Sequence, residues 1–246
     1  MAVQQPKYES ILDAMRDLIA TLDIGDALPP ERSLAADLGV SRMTLRRAVE
    51  QLVREGHVVR RRGAGTFVAA PKISQTLTIT SFSEDMRRRG LEPSSRTLSR
   101  EEIYAGPRLG RCLEVSPGDR ILRIARLRLA DGSPMAIETL HTPVAVVDGL
   151  TAEDLTGGSF YELLLDRFGI VLARGVQTVE PTVTDDTESE LLGVPLHTPA
   201  FLFERTTWAR DGRCVEFVRS VYRGDRYRLT AELRPTAVVT APAPSP

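Results

Sequence analysis

The sequence is poor in the residues that build metal centres and disulfide frameworks. Among its 246 residues there are two cysteines and three histidines, and these lie far apart along the chain. Zinc sites and disulfide scaffolds both need such residues at close, regular spacing. We therefore expect Cys112 and Cys214 to be buried free thiols in a reducing compartment, and we expect neither a metal nor a cofactor.

Long apolar runs are absent as well. No stretch approaches the roughly 20 residues that a membrane-spanning helix needs, and residues 1–6 lack the basic and then apolar layout of a signal peptide. Hydrophobic residues nevertheless make up 42% of the chain, and its length allows two domains. These features predict a cytoplasmic protein with two domains.

A net positive charge, which many DNA-binding proteins carry, is also missing, because the formal net charge is -1. The basic residues are instead concentrated locally. Between Ser41 and Arg62, seven arginines stand against two glutamates, so this stretch carries a charge of +5. The distribution therefore indicates a nucleic-acid surface near the N-terminus.

The residues around this basic stretch have the pattern of a helix-turn-helix. Apolar residues recur at helical spacing over residues 8–22, and residues 30–39 predict a short second helix with proline at its start and glycine past its end. Ser41 can cap a third helix, whose apolar residues between 45 and 53 form one stripe.

The start of this third helix predicts contacts with DNA. Arg42 and Arg46 lie opposite the apolar stripe, where a recognition helix reaches base edges and where arginine can pair with guanine. We expect Arg47 to contact phosphate. A solvated basic face is the alternative for an isolated helix, but the hairpin predicted at residues 57–69 favours DNA, since its Gly63–Gly65 tip allows close backbone approach.

These residues resemble the DNA-binding domain of the GntR family. The resemblance rests on Leu-Pro-Pro-Glu-Arg-x-Leu-Ala, Val-Ser-Arg-x-Thr-Leu-Arg and Gly-x-Gly-Thr-Phe-Val, in that order, within residues 1–70. It implies a winged helix-turn-helix that adds Arg32 to the contacts with operator DNA. The expected DNA-binding residues are Arg32, Ser41, Arg42, Thr44, Arg46, Arg47, Arg61, Gly63, Ala64 and Gly65.

The pattern changes after a predicted linker at residues 71–77. Alternating residues flank Asp131-Gly132, which is a hairpin signature, and a similar unit flanks Asp211-Gly212. This weak internal repeat predicts a sheet of two related hairpins with helices packed on it. We place this second domain at residues 78–234, and we expect the Pro- and Ala-rich residues 235–246 to be disordered.

Two features of the second domain indicate an anion site. Ser81 and Ser159 each begin a Ser-x-x-Glu capping motif, and the start of a helix attracts anions. Arg126 and Arg128 are two residues apart on a predicted strand, beside apolar residues, so both are expected to point into the interior. A buried arginine needs an anionic partner. That partner is either a protein carboxylate, such as Glu138, or an anionic ligand. The remaining alternative is that this face of the strand is simply exposed.

The second domain resembles UTRA, the effector domain of the HutC branch. The resemblance rests on Ser-Phe-Ser-Glu-Asp-Met-Arg, Arg-Leu-Arg-Leu-Ala-Asp-Gly-x-Pro-Met-Ala-Ile-Glu and Val-Arg-Ser-Val-Tyr-Arg-Gly-Asp-Arg-Tyr. It implies an antiparallel sheet with helices, similar to chorismate lyase, and hence an α+β protein overall.

Within that branch, the chain is similar to amino-sugar repressors of the NagR and DasR type. This similarity implies a phosphorylated sugar effector, glucosamine 6-phosphate or N-acetylglucosamine 6-phosphate. It implies a phosphate site formed by Ser83, Arg126, Arg128, Ser159 and Tyr161. It also implies that the sugar faces Glu138, Glu216 and Tyr222.

The function expected from this reasoning is DNA-binding transcription regulation, most simply repression, by a homodimer that reads a palindromic operator. One alternative keeps the regulator and changes the effector to another sugar phosphate or an organic acid. A second is a lyase-like enzyme, but the sequence shows no nucleophile–base pair and fold alone confers no chemistry. A third is an architectural DNA binder without a ligand, which a second domain of this size disfavours.

Overall fold

The structure is a computed structural model that describes residues 5–61, 63–69, 72–76, 78–150 and 158–231. Its N-terminal unit contains three helices and a hairpin. They are α1 (Gln5–Ala20), α2 (Glu31–Asp37), α3 (Arg42–Glu55), β1 (Val58–Arg61) and the antiparallel β2 (Gly65–Val68). The apolar stripe of α3 packs against Leu12 and Met15 of α1, which are fully buried. The unit is the expected winged helix-turn-helix.

Local capping fixes both ends of α3. The Ser41 side chain accepts a hydrogen bond from the Thr44 backbone N–H at 3.1 Å, as the sequence predicts for an N-cap. At the other end Gly56 adopts a left-handed conformation with φ +77°, which glycine tolerates without strain. The recognition helix therefore begins and ends at defined residues.

The larger unit is one antiparallel sheet of six strands built from two copies of the same motif. The first copy consists of α4 (Phe82–Arg88), β4 (Pro93–Tyr104), α5 (Gly106–Leu113), β5 (Arg120–Ala130) and β6 (Ser133–Pro143). After a 3-10 turn at Val144–Val146, the second copy consists of α6 (Phe160–Phe168), β7 (Leu172–Val183), α7 (Asp186–Leu192), β8 (Pro199–Ala209) and β9 (Cys214–Arg223). The strand order is β4-β5-β6-β9-β8-β7, so the copies meet where β6 pairs with β9.

The two predicted hairpins form the centre of this sheet. Asp131 and Gly132 have φ values of +47° and +71° and join β5 to β6 as a two-residue turn that suits the strand twist. Asp211 and Gly212 lie in the corresponding turn between β8 and β9. The weak repeat in the sequence thus reflects a real duplication of structure.

Neighbouring residues of a strand point to opposite sides of the sheet. Apolar residues occur at both kinds of position, so both faces are covered by helices. Leu122 and Ile124 pack with Leu164 of α6 on one face. Ile121 packs with Leu113 of α5 on the other face. Burying each such side chain contributes about 1.5–3 kcal/mol, so the duplicated sheet has a core on both sides.

The segment expected to be a linker contains a strand. Residues Ile73–Thr76 form β3, which pairs in parallel with β10 (Tyr227–Thr230) near the far end of the chain. The Ile73 N–H donates to the Arg226 carbonyl at 2.7 Å. Two strands of four residues with distant partners leave almost no periodic signal in the sequence. Residues 235–246, expected to be disordered, lie outside the described residues.

Within the described ranges, no helix is both long and apolar enough to cross a membrane. The same ranges contain no group of three or more His, Cys, Asp or Glu residues placed to hold a metal ion. Cys112 and Cys214 are free thiols, but only Cys214 is buried, whereas Cys112, at the end of α5, is partly exposed. Burial raises the pKa of the Cys214 thiol to about 12.

Candidate DNA-binding surface and anion cavity

The arginines predicted to contact DNA are exposed. Arg42, Arg46 and Arg47 project from the first two turns of α3, and Arg32 projects from α2. Arg46 Nε donates to Glu50 at 3.2 Å, but their side chains are 60% and 42% exposed. Such a surface pair contributes little to stability, so the guanidinium can exchange this partner for a phosphate or a base.

Two arginines of the hairpin after α3, Arg60 and Arg61, make different contacts. Arg60 donates to Glu31 of α2 at 2.9 Å and lies 3.7 Å from Glu50 of α3, so it ties the hairpin to both helices. Arg61 is exposed and lies over the Phe67 ring, with Cζ 4.6 Å from the ring centroid. Arg61 is therefore available to DNA, whereas Arg60 positions the wing.

The tip of this wing needs glycine. Gly63 and Gly65 have φ values of +75° and +120°, which residues with a Cβ rarely adopt. The Ala64 N–H donates to the Arg61 carbonyl at 3.0 Å and closes the turn. All three tip residues are exposed. The exposed backbone can approach a groove or a phosphate closely.

Arg126 and Arg128 are buried as predicted, with exposed fractions of 3% and 1%. Arg126 donates from Nε to Glu138 Oε1 at 3.1 Å and makes a second, shorter bond from Nη2. Arg128 Nη2 donates to Ser83 Oγ at 3.0 Å, and its guanidinium lies over Phe82. The first alternative, a protein carboxylate, therefore holds for Arg126. Among the described residues, Arg128 instead donates to a neutral hydroxyl.

The two guanidinium groups keep unused donors. Within the described residues, Arg126 Nη1 and Arg128 Nε and Nη1 are buried without a hydrogen-bond acceptor. Leaving such donors unpaired costs about 1–3 kcal/mol each, and burial lowers the pKa of Arg128 to about 10. Planar guanidinium donors in this state suit the oxygens of phosphate or carboxylate.

The charge of Glu138 depends on these arginines. Burial opposes ionisation of its carboxyl group, but Arg126 and Arg128 outweigh the burial and lower the Glu138 pKa to about 2. Glu138 is therefore a carboxylate at neutral pH and offsets one of the two buried cations.

A second polar cluster surrounds Glu216, which is 1% exposed. Its Oε1 accepts hydrogen bonds from the Tyr161 hydroxyl at 2.5 Å and from the Thr207 hydroxyl at 2.8 Å. Arg205 Nε lies 3.6 Å from the same oxygen, and its guanidinium lies over the Tyr161 ring. Burial is the largest influence on Glu216 and raises its pKa above the ordinary value, although Arg205 acts in the opposite direction.

A small, partly open cavity adjoins these clusters. Glu138, Tyr222 and Arg205 belong to its wall, together with Phe82 and Tyr227. Its volume is about 20 Å³, which is room for roughly one water molecule. A sugar phosphate therefore fits only if the side chains that close the cavity move.

The structure brings most of the predicted ligand residues together, and Ser159 is the exception. Arg126 bonds Glu138 and Arg128 bonds Ser83, while Tyr161 bonds Glu216 and Tyr222 lines the cavity described above. Ser159 is 2% exposed and accepts from the Glu162 N–H at 3.2 Å, so its described bond is that of an N-cap.

Sequence reasoning missed Arg205, whose partner Glu216 comes from the next strand. Arg205 lies in β8, the strand of the second copy that corresponds to β5 of the first, where Arg126 lies. Each of these arginines faces a glutamate from the following strand, Glu138 or Glu216. Aligned on their Asp-Gly turns, however, the two halves of the weak repeat place Thr206 at the position of Arg126, so the repeat does not single out Arg205.

Family models match both units. The model described as bacterial regulatory proteins of the gntR family matches residues 7–68, and the UTRA domain model matches residues 88–228. The transcriptional repressor NagR of Bacillus subtilis is 37% identical over 225 residues, which cover 90% of this chain and 92% of NagR. A histidine utilization repressor of Klebsiella aerogenes is 31% identical, covering 93% of this chain and 98% of that repressor.

The fold is similar to that of a solved regulator. The crystal structure of PhnF from Mycobacterium smegmatis has a TM-score of 0.66 and 32% sequence identity, covering 92% of this chain and all of that chain. The predicted α+β organisation, with a winged helix-turn-helix and a UTRA sheet, is confirmed. The chain belongs to the GntR family of bacterial transcription regulators, in the HutC branch whose effector domain is UTRA.

Proposed function

We propose that this chain is a repressor whose binding to operator DNA is controlled by a small phosphorylated effector. Residues 1–70 bind DNA, and residues 78–234 bind the effector. The effector is glucosamine 6-phosphate or N-acetylglucosamine 6-phosphate. The chain acts without catalysis, as a homodimer whose two recognition helices read a palindromic site.

The exposed arginines support the DNA-binding part of this proposal. Arg42 and Arg46 reach base edges from the start of α3, while Arg47 and Arg61 contact phosphates. Base contacts specify the sequence and phosphate contacts position the protein. Ser41 and Thr44 hold the start of α3 in place, because the side chain of one caps the backbone of the other.

The observation that carries the effector proposal is the set of unpaired, buried donors on Arg126 and Arg128. A phosphate group offers several acceptor oxygens and a charge of about -2, so it can satisfy these donors and offset the uncompensated cation. The hydroxyls of Ser83, Ser159 and Tyr161 supply further donors. The phosphate thus binds where the protein alone leaves guanidinium groups unsatisfied.

Polar groups in and beside the cavity support a sugar; Glu138 and Tyr222 line it. Glu138, Glu216 and Tyr222 can accept hydrogen bonds from ring hydroxyls. One relative is named for a sugar derivative: the mannosyl-D-glycerate transport/metabolism system repressor MngR of Escherichia coli, 31% identical over 92% of this chain and 95% of MngR. A phosphorylated amino sugar presents the phosphate and the hydroxyls that this arrangement requires.

A titration of the full chain tests the effector. The one tryptophan, Trp208, follows Thr207, which bonds Glu216, so its fluorescence and the thermal midpoint can both report binding. We expect saturable stabilisation by one of the two phosphosugars, about 2.7 kcal/mol at a hundred times Kd, and none by the unphosphorylated sugars. If the unphosphorylated sugars stabilised the chain as much as the phosphosugars do, the phosphate site would be contradicted.

A second candidate keeps the regulator and changes the effector to another anion, either a different sugar phosphate or an organic acid. Arg205 favours it, because its guanidinium lines the cavity itself and can bind an anion there directly. The same titration, extended to phosphorylated and unphosphorylated sugar acids, distinguishes the candidates by which compound saturates at the lowest concentration.

A further inference from the structure

The turn between β9 and β10 lies against the C-terminal end of the recognition helix. We call residues 223–226 the β9–β10 turn. A Cβ placed on Gly56, the C-cap of α3, would lie 2.2 Å from the Asp225 carbonyl oxygen. Lys72, on the segment that leaves the DNA-binding domain, donates from Nζ to the Gly224 carbonyl at 2.8 Å. The effector domain and α3 are therefore in direct backbone contact.

The β9–β10 turn is held firmly within the effector domain. Arg223 donates from Nη2 to Asp225 at 2.6 Å and from Nη1 to the Pro134 carbonyl at 3.2 Å. Gly224 is packed so tightly that a Cβ would lie 2.6 Å from the Pro199 carbonyl oxygen. Because the turn cannot deform freely, a shift of the flanking strands moves its contact with Gly56.

The residues on either side of the turn belong to the cavity wall. Tyr222 and Tyr227 both line the cavity, and their rings are 4.6 Å apart between centroids at 73°. The Tyr227 hydroxyl donates to Met86 Sδ of α4 at 3.9 Å, and α4 carries Ser83 of the anion site. Only the turn itself separates the cavity wall from the recognition helix.

We infer that the β9–β10 turn is an interaction surface for the recognition helix, and that the effector changes operator affinity by moving it. The inference rests on the proposed function. A cavity of about 20 Å³ admits a sugar phosphate only when its walls move, and Tyr222 and Tyr227 are two of those walls. Their displacement shifts the turn against Gly56. The protein then binds operator DNA with a different affinity in each of the two positions of the turn. Such a difference is the requirement for coupling between sites.

A glycine substitution with a matched control tests this contact. Gly56→Asn keeps the left-handed conformation, which asparagine tolerates, but its Cβ has no room beside Asp225. Gly25→Asn is the control, because Gly25 has φ +91° in the same domain and its Cβ would meet nothing within 4 Å. Lys72→Met removes the bond to Gly224 without introducing a steric clash. This variant replaces Gly56→Asn in the test if Gly56→Asn does not fold.

The measurement is operator affinity, with and without a saturating concentration of whichever phosphosugar binds. The quantity compared is the ratio of the operator affinities measured in the two conditions. We expect this ratio to be the same in the wild type and in Gly25→Asn, on the order of 5- to 150-fold. We expect Gly56→Asn to bring the ratio to within about twofold of one and Lys72→Met to reduce it at least threefold, while the effector still binds without DNA. If Gly56→Asn shows the same ratio as the wild type, the inference is overturned. If Gly56→Asn does not fold, the same result in Lys72→Met overturns it.

A second measurement separates this inference from the proposed function. Tyr222→Leu alters the cavity wall in the absence of any effector. We expect it to change hydrogen exchange at the Gly56 and His57 amides, which close the end of α3, and to leave the Leu38 amide of α2 unchanged. If no phosphosugar binds but exchange changes in this way, the proposed effector is wrong and the contact stands. Unchanged exchange at both α3 amides contradicts the contact itself.

Discussion

The two domains use the same side chain in opposite environments. The arginines of α3 lie on a helix whose buried residues are all apolar, and the Arg46 side chain is 60% exposed. Arg126 and Arg128 of the effector domain are at most 3% exposed and hold Glu138 and Ser83 in place. Removing an exposed arginine should therefore change binding alone, whereas removing a buried one should change binding and folding together.

The largest expected effect is that of Arg126→Ala. The substitution leaves the Glu138 carboxylate buried without its main partner, which destabilises a protein by about 3–5 kcal/mol. It also removes the effector response, while operator binding remains at temperatures where the chain is folded. Urea unfolding and an effector titration measure the two losses.

A double variant separates the two roles of Arg126. Arg126→Met combined with Glu138→Leu replaces the buried pair by apolar residues of similar size, which is often neutral for stability. We expect the free energy of unfolding to recover and the effector response to stay absent. Recovery of the response would show that the pair is structural.

The contrast between buried and exposed groups extends to histidine. Burial lowers the pKa of His141 to about 4, against about 6.5 in an unfolded chain. Its neutral form therefore stabilises the fold fully above pH 6.5, and this contribution is lost as the pH falls from 6.5 towards 4. We expect the wild type to lose about 2 kcal/mol more than His141→Gln between pH 7.5 and 4.5.

The control for this pH dependence is His57→Gln, since the His57 side chain is 47% exposed. This variant should follow the wild-type stability curve within error. Urea midpoints at half-unit pH steps provide the comparison. Identical curves for His141→Gln and the wild type would show that His141 is not the group responsible.

Arg42→Ala tests the exposed side of the contrast. We expect a loss of about 1–3 kcal/mol in operator binding and a relaxed base preference at one position of the site. The free energy of unfolding should stay within about 0.5 kcal/mol of the wild type. Binding to operators with single base changes measures the preference, and an unaltered preference would mean that Arg42 does not read a base.

The smallest expected effect is that of Arg61→Ala. This substitution should weaken binding to all DNA sequences similarly and reduce the slope of log affinity against log salt by about 1. Arg60→Ala is the matched neighbour, because Arg60 pairs with Glu31 and Glu50 instead. A smaller change of the salt slope in Arg60→Ala distinguishes a positioning arginine from one that contacts phosphate.

Features with partners close in the chain could be predicted from the sequence. Ser41 caps a backbone group three residues away, and Asp131 and Gly132 form a turn by their own conformational preferences. The burial of Arg126 also followed from the apolar neighbours on its strand. These predictions needed only local spacing.

Features that depend on distant partners could not be predicted. The parallel pairing of β3 with β10 joins two strands at opposite ends of the effector domain. The pairing of Arg60 with Glu31 joins residues 29 positions apart, so it is visible only in the folded chain. Arg205 likewise gains its meaning from Glu216, which reaches it from the next strand.

The duplicated motif of the effector sheet also bears on how such a regulator acquires new specificity during evolution. One copy contributes Arg126 and Arg128 to the cavity region, while the other contributes Arg205 and Glu216. If the proposed effector binds here, mutations in the second copy can reshape one wall while the first copy keeps Arg126 and Arg128. Under that proposal, a descendant can change its effector preference in single steps while half of the site stays intact.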